Sequence, residues 1–261
     1  MAISSTDIHP VALAREAVQT VRESWLQVTF AGGIFVLLSL LIRFLAGTTD
    51  VREMVFMGDA AASFSMFLAT LAAALVTSAR VLGVDIPYLP SALINERYFW
   101  RYVWRGVICL MVVGSVVAVC SFVGFSFVEG RDFRPFYAGA AAGALLSGFL
   151  YVRLSMMLPG AAAGEKVSLT ASWRMTRGIW IRIGLAMVLA LGGFLAGEFL
   201  LKGLSALTAD PASHLVLAGF GIFLKIVRCA VEGALAAQIF LAVLSSQETS
   251  ASAAADADML V

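Results

Sequence analysis

Six long apolar runs dominate this sequence and limit what it can fold into. They occupy positions 25–46, 57–82, 106–128, 136–158, 179–201 and 215–245. A helix needs roughly 20 residues to cross the hydrocarbon core of a bilayer, and every run meets that length. The runs therefore predict an all-α integral membrane protein with six transmembrane helices.

The composition agrees with that class. Hydrophobic residues make up 61% of the chain and charged residues only 13%, whereas about a quarter of a soluble domain is charged. The phospholipid bilayer is therefore the expected partner, with other membrane-protein subunits as further candidates. The net charge of +1 gives a nucleic-acid partner no electrostatic support, and we expect none.

The three cysteines all fall inside the predicted spans, at Cys109, Cys120 and Cys229. Their number is odd and they lack the C-x-x-C spacing of many metal sites. We therefore expect them to pack as small hydrophobic side chains, with no disulfide, metal or cofactor.

An Arg-x-x-Trp motif occurs three times at nearly equal spacing, ending at Trp25, Trp104 and Trp180. Each copy ends an amphipathic stretch and precedes two apolar runs. This period predicts one unit used three times, an amphipathic elbow followed by a helical hairpin, in a pseudo-threefold bundle. The predicted organisation is a disordered segment 1–10, repeats 11–83, 84–158 and 159–246, and a disordered acidic tail 247–261.

The amphipathic stretches are expected to lie in the membrane interface, with rings and guanidinium groups at headgroup depth. An Arg and a Trp three residues apart share a helix face, so each pair could stack as a cation–π pair. The stretches could simply fix the depth of each hairpin, or they could recognise anionic lipid or a partner. The candidate interface or headgroup-binding residues are Arg22, Trp25, Arg101, Trp104, Arg153, Trp173, Arg174, Arg177 and Trp180.

Small residues and prolines mark the packing and the ends of the spans. Gly139 and Gly143 form a G-x-x-x-G motif, which predicts close packing within the chain or, alternatively, between copies of it. Pro87, Pro90 and Pro159 are expected to interrupt the helices of the connections. Ser168 is a candidate N-cap for the third elbow.

The last apolar run carries a charged stripe. Lys225, Arg228 and Glu232 lie on one helical face, and a single charge at mid-bilayer costs about 2.5–3.5 kcal/mol. We expect Arg228 to pair with Glu232, and Glu198 to neutralise the remaining positive charge. The stripe is either a salt-bridge cluster that docks the last hairpin, part of a segment outside the membrane, or a polar cavity for an anionic or zwitterionic ligand.

Lysine and arginine counts predict the orientation. The side that holds both termini carries eleven of these residues in or near its loops, and the opposite side carries five. Cytoplasmic loops are enriched in Lys and Arg, so both termini are predicted to be cytoplasmic.

The segment 153–178 carries a family resemblance. It reads Arg-x-x-x-x-x-Pro, a short linker, and then Ser-x-x-x-Ser-Trp-x-x-Thr-Arg-Gly. The matching residues are Arg153, Pro159, Ser168, Ser172, Trp173, Thr176, Arg177 and Gly178. The pattern resembles bacterial six-helix membrane proteins of the YciC-like type, and the membrane domain fused to some glycerophosphoryl diester phosphodiesterases. The resemblance implies a bacterial inner-membrane protein, without the phosphodiesterase activity.

Two functional hypotheses follow. The sequence has no H-E-x-x-H, G-x-S-x-G or P-loop motif, so we do not expect an enzyme. The first hypothesis is an accessory, scaffold or lipid-contacting subunit, because the distinctive residues concentrate in the elbows. The alternative is a small transporter or channel with a polar site at Lys225, Arg228 and Glu232.

Overall fold

The computed structural model describes residues 9–47, 52–85, 97–128, 133–208 and 211–258, and this part of the chain is helical without any strand. The helices are α1 (Pro10–Glu23), α2 (Trp25–Gly47), α3 (Arg52–Leu82), α4 (Arg97–Ser126), α5 (Arg134–Leu154), α6 (Met157–Ala162), α7 (Leu169–Met175), α8 (Trp180–Leu207) and α9 (Pro211–Asp258).

Six helical segments are long and apolar enough to cross a membrane, and each coincides with one predicted run. They are α2, α3, α4, α5 with its extension α6, α8 and α9. The chain is therefore a multi-pass helical membrane protein. We call the end of the bundle that carries α1, α6 and α7 the elbow end.

The first elbow is a separate helix, but it packs on protein. The apolar side chains of α1 at Leu13, Ala17 and Val21 are buried, and α1 lies against α8 and α9. The last hairpin therefore covers the apolar face of this elbow, and its position in the membrane interface stays a prediction. The third elbow contains the short helix α7, and Ser168 is its N-cap as predicted, accepting the Ala171 amide at 3.1 Å.

The second elbow differs from the prediction. Helix α4 runs without a break from Arg97 through Trp104 into the span, so the Arg-x-x-Trp motif occupies its first turns. Residues 93–96, like Pro87 and Pro90, lie outside the described residues. Nothing in the sequence between Arg97 and Gly106 interrupts a helix, which explains the continuity.

The centre of the bundle is the crossing of α3 and α9. Gly233 comes so close to α3 that a Cβ atom there would lie 2.7 Å from the Cα atom of Ala74. Two hydroxyl groups of α3 donate hydrogen bonds across this contact, Thr77 to the carbonyl of Ala230 at 2.8 Å and Ser78 to the carbonyl of Gly233 at 2.9 Å. Close backbone approach and interhelical hydrogen bonds are the main means of joining helices in lipid.

The G-x-x-x-G motif packs within the chain, against α4. A Cβ atom on Gly139 would collide with the carbonyl oxygen of Cys120, and one on Gly143 would lie 2.9 Å from the Cβ atom of Cys120. One turn further on, Ser147 donates a hydrogen bond to the carbonyl of Val113 at 2.9 Å. The motif therefore serves the α4–α5 hairpin. All three cysteines are free, as expected.

The three hairpins do not contact one another equally. The first and third are joined along α3 and α9, whereas α5 makes only minor contact with either of these helices. The α4–α5 hairpin is attached mainly through α6 and the beginning of α4. The pseudo-threefold arrangement stays a prediction.

The chain after the last span is helical, where the sequence predicted disorder. Helix α9 continues through Asp258, and only residues 259–261 of the predicted tail lie outside the described chain. Its last turns are rich in alanine, the residue with the highest helix propensity, and they extend a helix that is already nucleated. Residues 1–8 also lie outside the described chain, and Pro10 opens α1 at a position where its missing amide costs nothing.

Candidate functional site

A polar cavity of about 490 Å³ lies between α2, α3, α8 and α9, away from the elbow end. Its polar lining consists of Ser39, Ser63, Glu198, Lys202, Ser205, Lys225 and Arg228. We call it the cationic cavity. It combines residues from the first and third hairpins, which the α3–α9 crossing brings together.

Arg228 is paired with α8. Its Nε atom lies 2.8 Å from Oε1 of Glu198, and each side chain is about one-fifth exposed. The predicted pair between Arg228 and Glu232 does not form, because the guanidinium group of Arg228 turns to Glu198 on α8, and Glu232 lines a different cavity. Glu198 therefore neutralises Arg228 itself, and not a leftover charge.

The cationic cavity carries a surplus of positive charge. Lys202, Lys225 and Arg228 contribute three positive charges and Glu198 one negative charge, so the net charge is 3 − 1 = +2. Neither lysine has a carboxylate within ion-pair distance in the described part of the chain. Charged side chains without such a partner in a membrane protein are oriented toward water, headgroups or a ligand.

Two charged residues of the cavity, Glu198 and Lys202, lie about one bilayer thickness from the elbow end along α8. Glu198 and Lys202 both follow Trp180, which is at the elbow end, along the single helix α8. At a rise of about 1.5 Å per residue, the two side chains are about 27 Å and about 33 Å from Trp180. The hydrocarbon core is about 30 Å thick, so a bilayer that begins near Trp180 ends at the cavity.

A second charged group, Arg153, is buried near the elbow end in a cage of three rings. Its Cζ atom lies 4.8 Å from the ring centre of Trp173, 5.3 Å from that of Phe149 and 5.8 Å from that of Trp180. The residue is only 8% exposed. Sequence analysis placed Arg153 among the headgroup-binding residues, but the rings enclose its guanidinium group.

Hydrogen bonds complete this cage with residues of the motif that carries the family resemblance. The guanidinium group of Arg153 donates to the Thr176 hydroxyl at 3.4 Å and to the Trp173 carbonyl at 3.5 Å. The Ser172 hydroxyl donates to the Arg153 carbonyl at 2.7 Å. Gly178, at the turn that follows, has a φ of +86°, which only glycine adopts easily. These motif residues thus fasten α7 to the end of α5.

The predicted Arg–Trp stacks are absent from the described residues. Trp180 contacts Arg153 instead of Arg177, and the ring of Trp25 packs edge-on against Phe223 of α9 at 5.5 Å. Spacing on one helix predicts that two side chains share a face, whereas the neighbouring helices decide where each ring turns. The elbow residues that remain exposed are Arg22, Trp25, Arg101, Trp104, Trp173, Arg174, Arg177 and Trp180.

A separate cavity of about 300 Å³ lies between α3, α4, α5 and α9. Its walls are mostly apolar, and Glu232 is the only carboxylate that the described residues contribute to its lining. Sequence analysis could not separate Glu232 from Lys225 and Arg228, since helical spacing shows nothing of the other helices. Across the described ranges, no group of three or more His, Cys, Asp or Glu side chains is placed to hold a metal ion.

Comparisons with protein families, with curated proteins and with solved structures found no match to this chain. Its function is therefore inferred from the geometry of its cavities.

Proposed function

We propose that this protein is a non-enzymatic, lipid-contacting protein of the bacterial inner membrane, and that its cationic cavity holds an anionic headgroup. The observation that carries the proposal is the pair of lysines, Lys202 and Lys225, which lack a carboxylate partner among the described residues and lie beside the Arg228–Glu198 ion pair. Basic pockets between transmembrane helices at headgroup depth bind anionic lipid headgroups.

The chemistry of the cavity suits a phosphate group. Lysine ammonium groups donate charge-assisted hydrogen bonds to phosphate oxygens, and the Ser63 hydroxyl can donate to or accept from a polar headgroup. The Ser39 hydroxyl donates to the Ala62 carbonyl and can still accept. Acyl chains of the same lipid would lie along the exposed apolar faces of α2 and α8. With both termini in the cytoplasm, as we propose from the Lys and Arg distribution, the lipid belongs to the outer leaflet.

The exposed arginines and tryptophans of the elbows give the same protein a second contact with lipid or with other subunits. They lie at the elbow end, where basic and aromatic side chains meet cytoplasmic headgroups. An accessory or scaffold role, and the resemblance to YciC-like membrane proteins, are part of this proposal.

Transport is the second candidate function. It is favoured by the position of Arg228 and Glu232 about one turn apart on α9, lining two different cavities. A solute could pass between these cavities only if α9 shifted against α3. Because Gly233 and Ala74 are in direct contact there, the close crossing weighs against such a movement.

The double variant Lys202→Ala/Lys225→Ala tests the proposed function. The protein is placed in nanodiscs that contain equal amounts of phosphatidylglycerol and phosphatidylethanolamine, and it is released from them in native mass spectrometry. We expect the wild type to retain phosphatidylglycerol in preference to phosphatidylethanolamine. The double variant should retain about tenfold less, because the excess positive charge of the cavity is gone. Both lysines are exposed, so the fold should persist.

The matched control is Lys166→Ala, which removes an exposed lysine at the elbow end. Its lipid retention should equal that of the wild type. Equal phosphatidylglycerol retention by the double variant and the wild type would contradict the proposal. A protein–protein complex that survives release, with no bound lipid, would shift the assignment to an accessory subunit.

A further inference from the structure

The apolar cavity that contains Glu232 has no part in the proposed function. It lies near the elbow end, beside the first turns of α4 and the last turns of α5, and Glu232 is about one turn of α9 closer to that end than Arg228. Its volume of about 300 Å³ is at the lower limit for small-molecule sites. We call it the acidic cavity.

The carboxylate of Glu232 is unpaired within the described chain. It makes neither a hydrogen bond nor an ion pair there, and the residue is half-buried, with the cavity beside it. The nearest basic residues along α4 and α9 have other partners. Arg105 donates a hydrogen bond to the Met157 carbonyl at 3.1 Å, and Arg228 forms an ion pair with Glu198. An ionised carboxylate without a partner costs free energy in a mostly apolar cavity. The cavity therefore favours a ligand that supplies positive charge.

The rest of the lining specifies what kind of cation fits. Aromatic rings of Phe67, Tyr102 and Tyr151 line the cavity, and the face of an aromatic ring attracts a cation. Most other lining groups are aliphatic, so a small hydrated metal ion would find few oxygen ligands in this cavity. An organic cation with its charge buried among methyl or methylene groups matches both features.

The cavity is open on one side toward the lipid-facing surface of α4. Leu110, which lines it, is 56% exposed, and Val113 lies one turn deeper. A ligand could therefore enter from the bilayer and leave an apolar tail between α4 and the lipid, with its charged end at Glu232.

We propose that the acidic cavity binds an amphiphilic ammonium ion, whose cationic head contacts Glu232 and the rings of Tyr102 and Tyr151. Recognition combines one full charge, aromatic faces and apolar walls. The site is separate from the cationic cavity, because the two lie at different heights along α9 and share no lining residue among those described.

Benzyltrimethylammonium is a suitable probe, because its charge is shielded by methyl groups and it carries a ring. We expect calorimetry on the full-length protein in nanodiscs of zwitterionic lipid to show saturable binding. Glu232→Gln should weaken binding about tenfold or more, because it removes the charge and keeps the shape. Glu232→Asp should restore part of the affinity, since it keeps the charge.

Two controls separate charge recognition from simple partitioning. Neopentylbenzene has the same shape as the probe without its charge. The wild type should bind it more weakly than it binds the probe, and Glu232→Gln should bind it as well as the wild type does. Glu165→Gln removes an exposed carboxylate at the elbow end and should leave binding of the probe unchanged. Monodisperse elution and an unchanged melting temperature would establish that Glu232→Gln is folded.

Absence of saturable binding to the wild type would overturn the proposal. So would equal affinity of the probe for folded Glu232→Gln and for the wild type, or equal affinity of the wild type for the charged and uncharged compounds. In each of these cases the carboxylate would not be the recognition element.

Discussion

Replacing Gly233 with leucine should destabilise this protein severely. The glycine lies where α3 and α9 touch, and even a Cβ atom would meet the backbone of Ala74 at 2.7 Å. Overpacking a core costs about 1–3 kcal/mol and occasionally more, and a clash with backbone cannot be relieved by a rotamer change. We expect a loss of about 3 kcal/mol or more in the free energy of unfolding, since the helices must separate.

The separation would also break the hydrogen bonds from Thr77 and Ser78 to α9. Thermal unfolding in detergent, followed by the monodisperse fraction after heating, would measure the effect. The control is Gly219→Leu in the same helix, where a Cβ atom meets nothing within 4 Å, and its stability should stay within about 0.5 kcal/mol of the wild type. Equal stability of the two variants would contradict the close α3–α9 crossing.

Arg153→Ala is expected to have the second-largest effect. The change removes a cation enclosed by three rings, where each desolvated cation–π contact can contribute about 2 kcal/mol, and it leaves a void among them. We expect a loss of about 2–4 kcal/mol and local release of α7, because Arg153 is also the hydrogen-bond donor to Trp173 and Thr176. Hydrogen–deuterium exchange should then show faster exchange of the α7 amides.

Arg153→Lys should give an intermediate result, since it keeps the charge but not the flat guanidinium group that stacks on a ring. Arg174→Ala, which truncates an exposed arginine of α7 itself, should leave amide exchange unchanged. If Arg153→Ala exchanged as slowly as the wild type, the ring cage would have no structural role, and Arg153 would return to the group of lipid-contacting candidates.

The sequence predicted the spans well, because the length and apolarity that place a helix in lipid are local properties of the chain. It also predicted the Ser168 cap, since capping depends on residue type and spacing. For Gly139 and Gly143 it predicted close packing within the chain or between copies, and the structure shows packing within the chain. The bounds of two helices differ clearly from the predicted runs, because α4 begins nine residues before its run and α9 ends thirteen residues after its run.

The partners of the charged residues could not be predicted, because they depend on which helices are neighbours. Arg228 and Glu232 are four residues apart and looked like a pair, yet Arg228 reaches Glu198 on α8 while Glu232 lines a cavity next to α4. Arg153 is similar: its sequence context is that of an interfacial arginine, and only the turn at Gly178 brings Trp180 back over it. Tertiary contacts decided both cases.

The burial of α1 has a consequence for how the protein is made. Its apolar face is covered by α8 and α9, which are the last helices of the bundle to leave the ribosome. Between Glu23 and Val243 lie about 220 residues, which take roughly 11–44 s to synthesise at about 5–20 residues per second. Until α8 and α9 have been made, the apolar face of α1 lacks the helices that cover most of it. A nascent protein stalled before α8 should therefore present α1 to chaperones or to the membrane surface, whereas the finished protein should hide it.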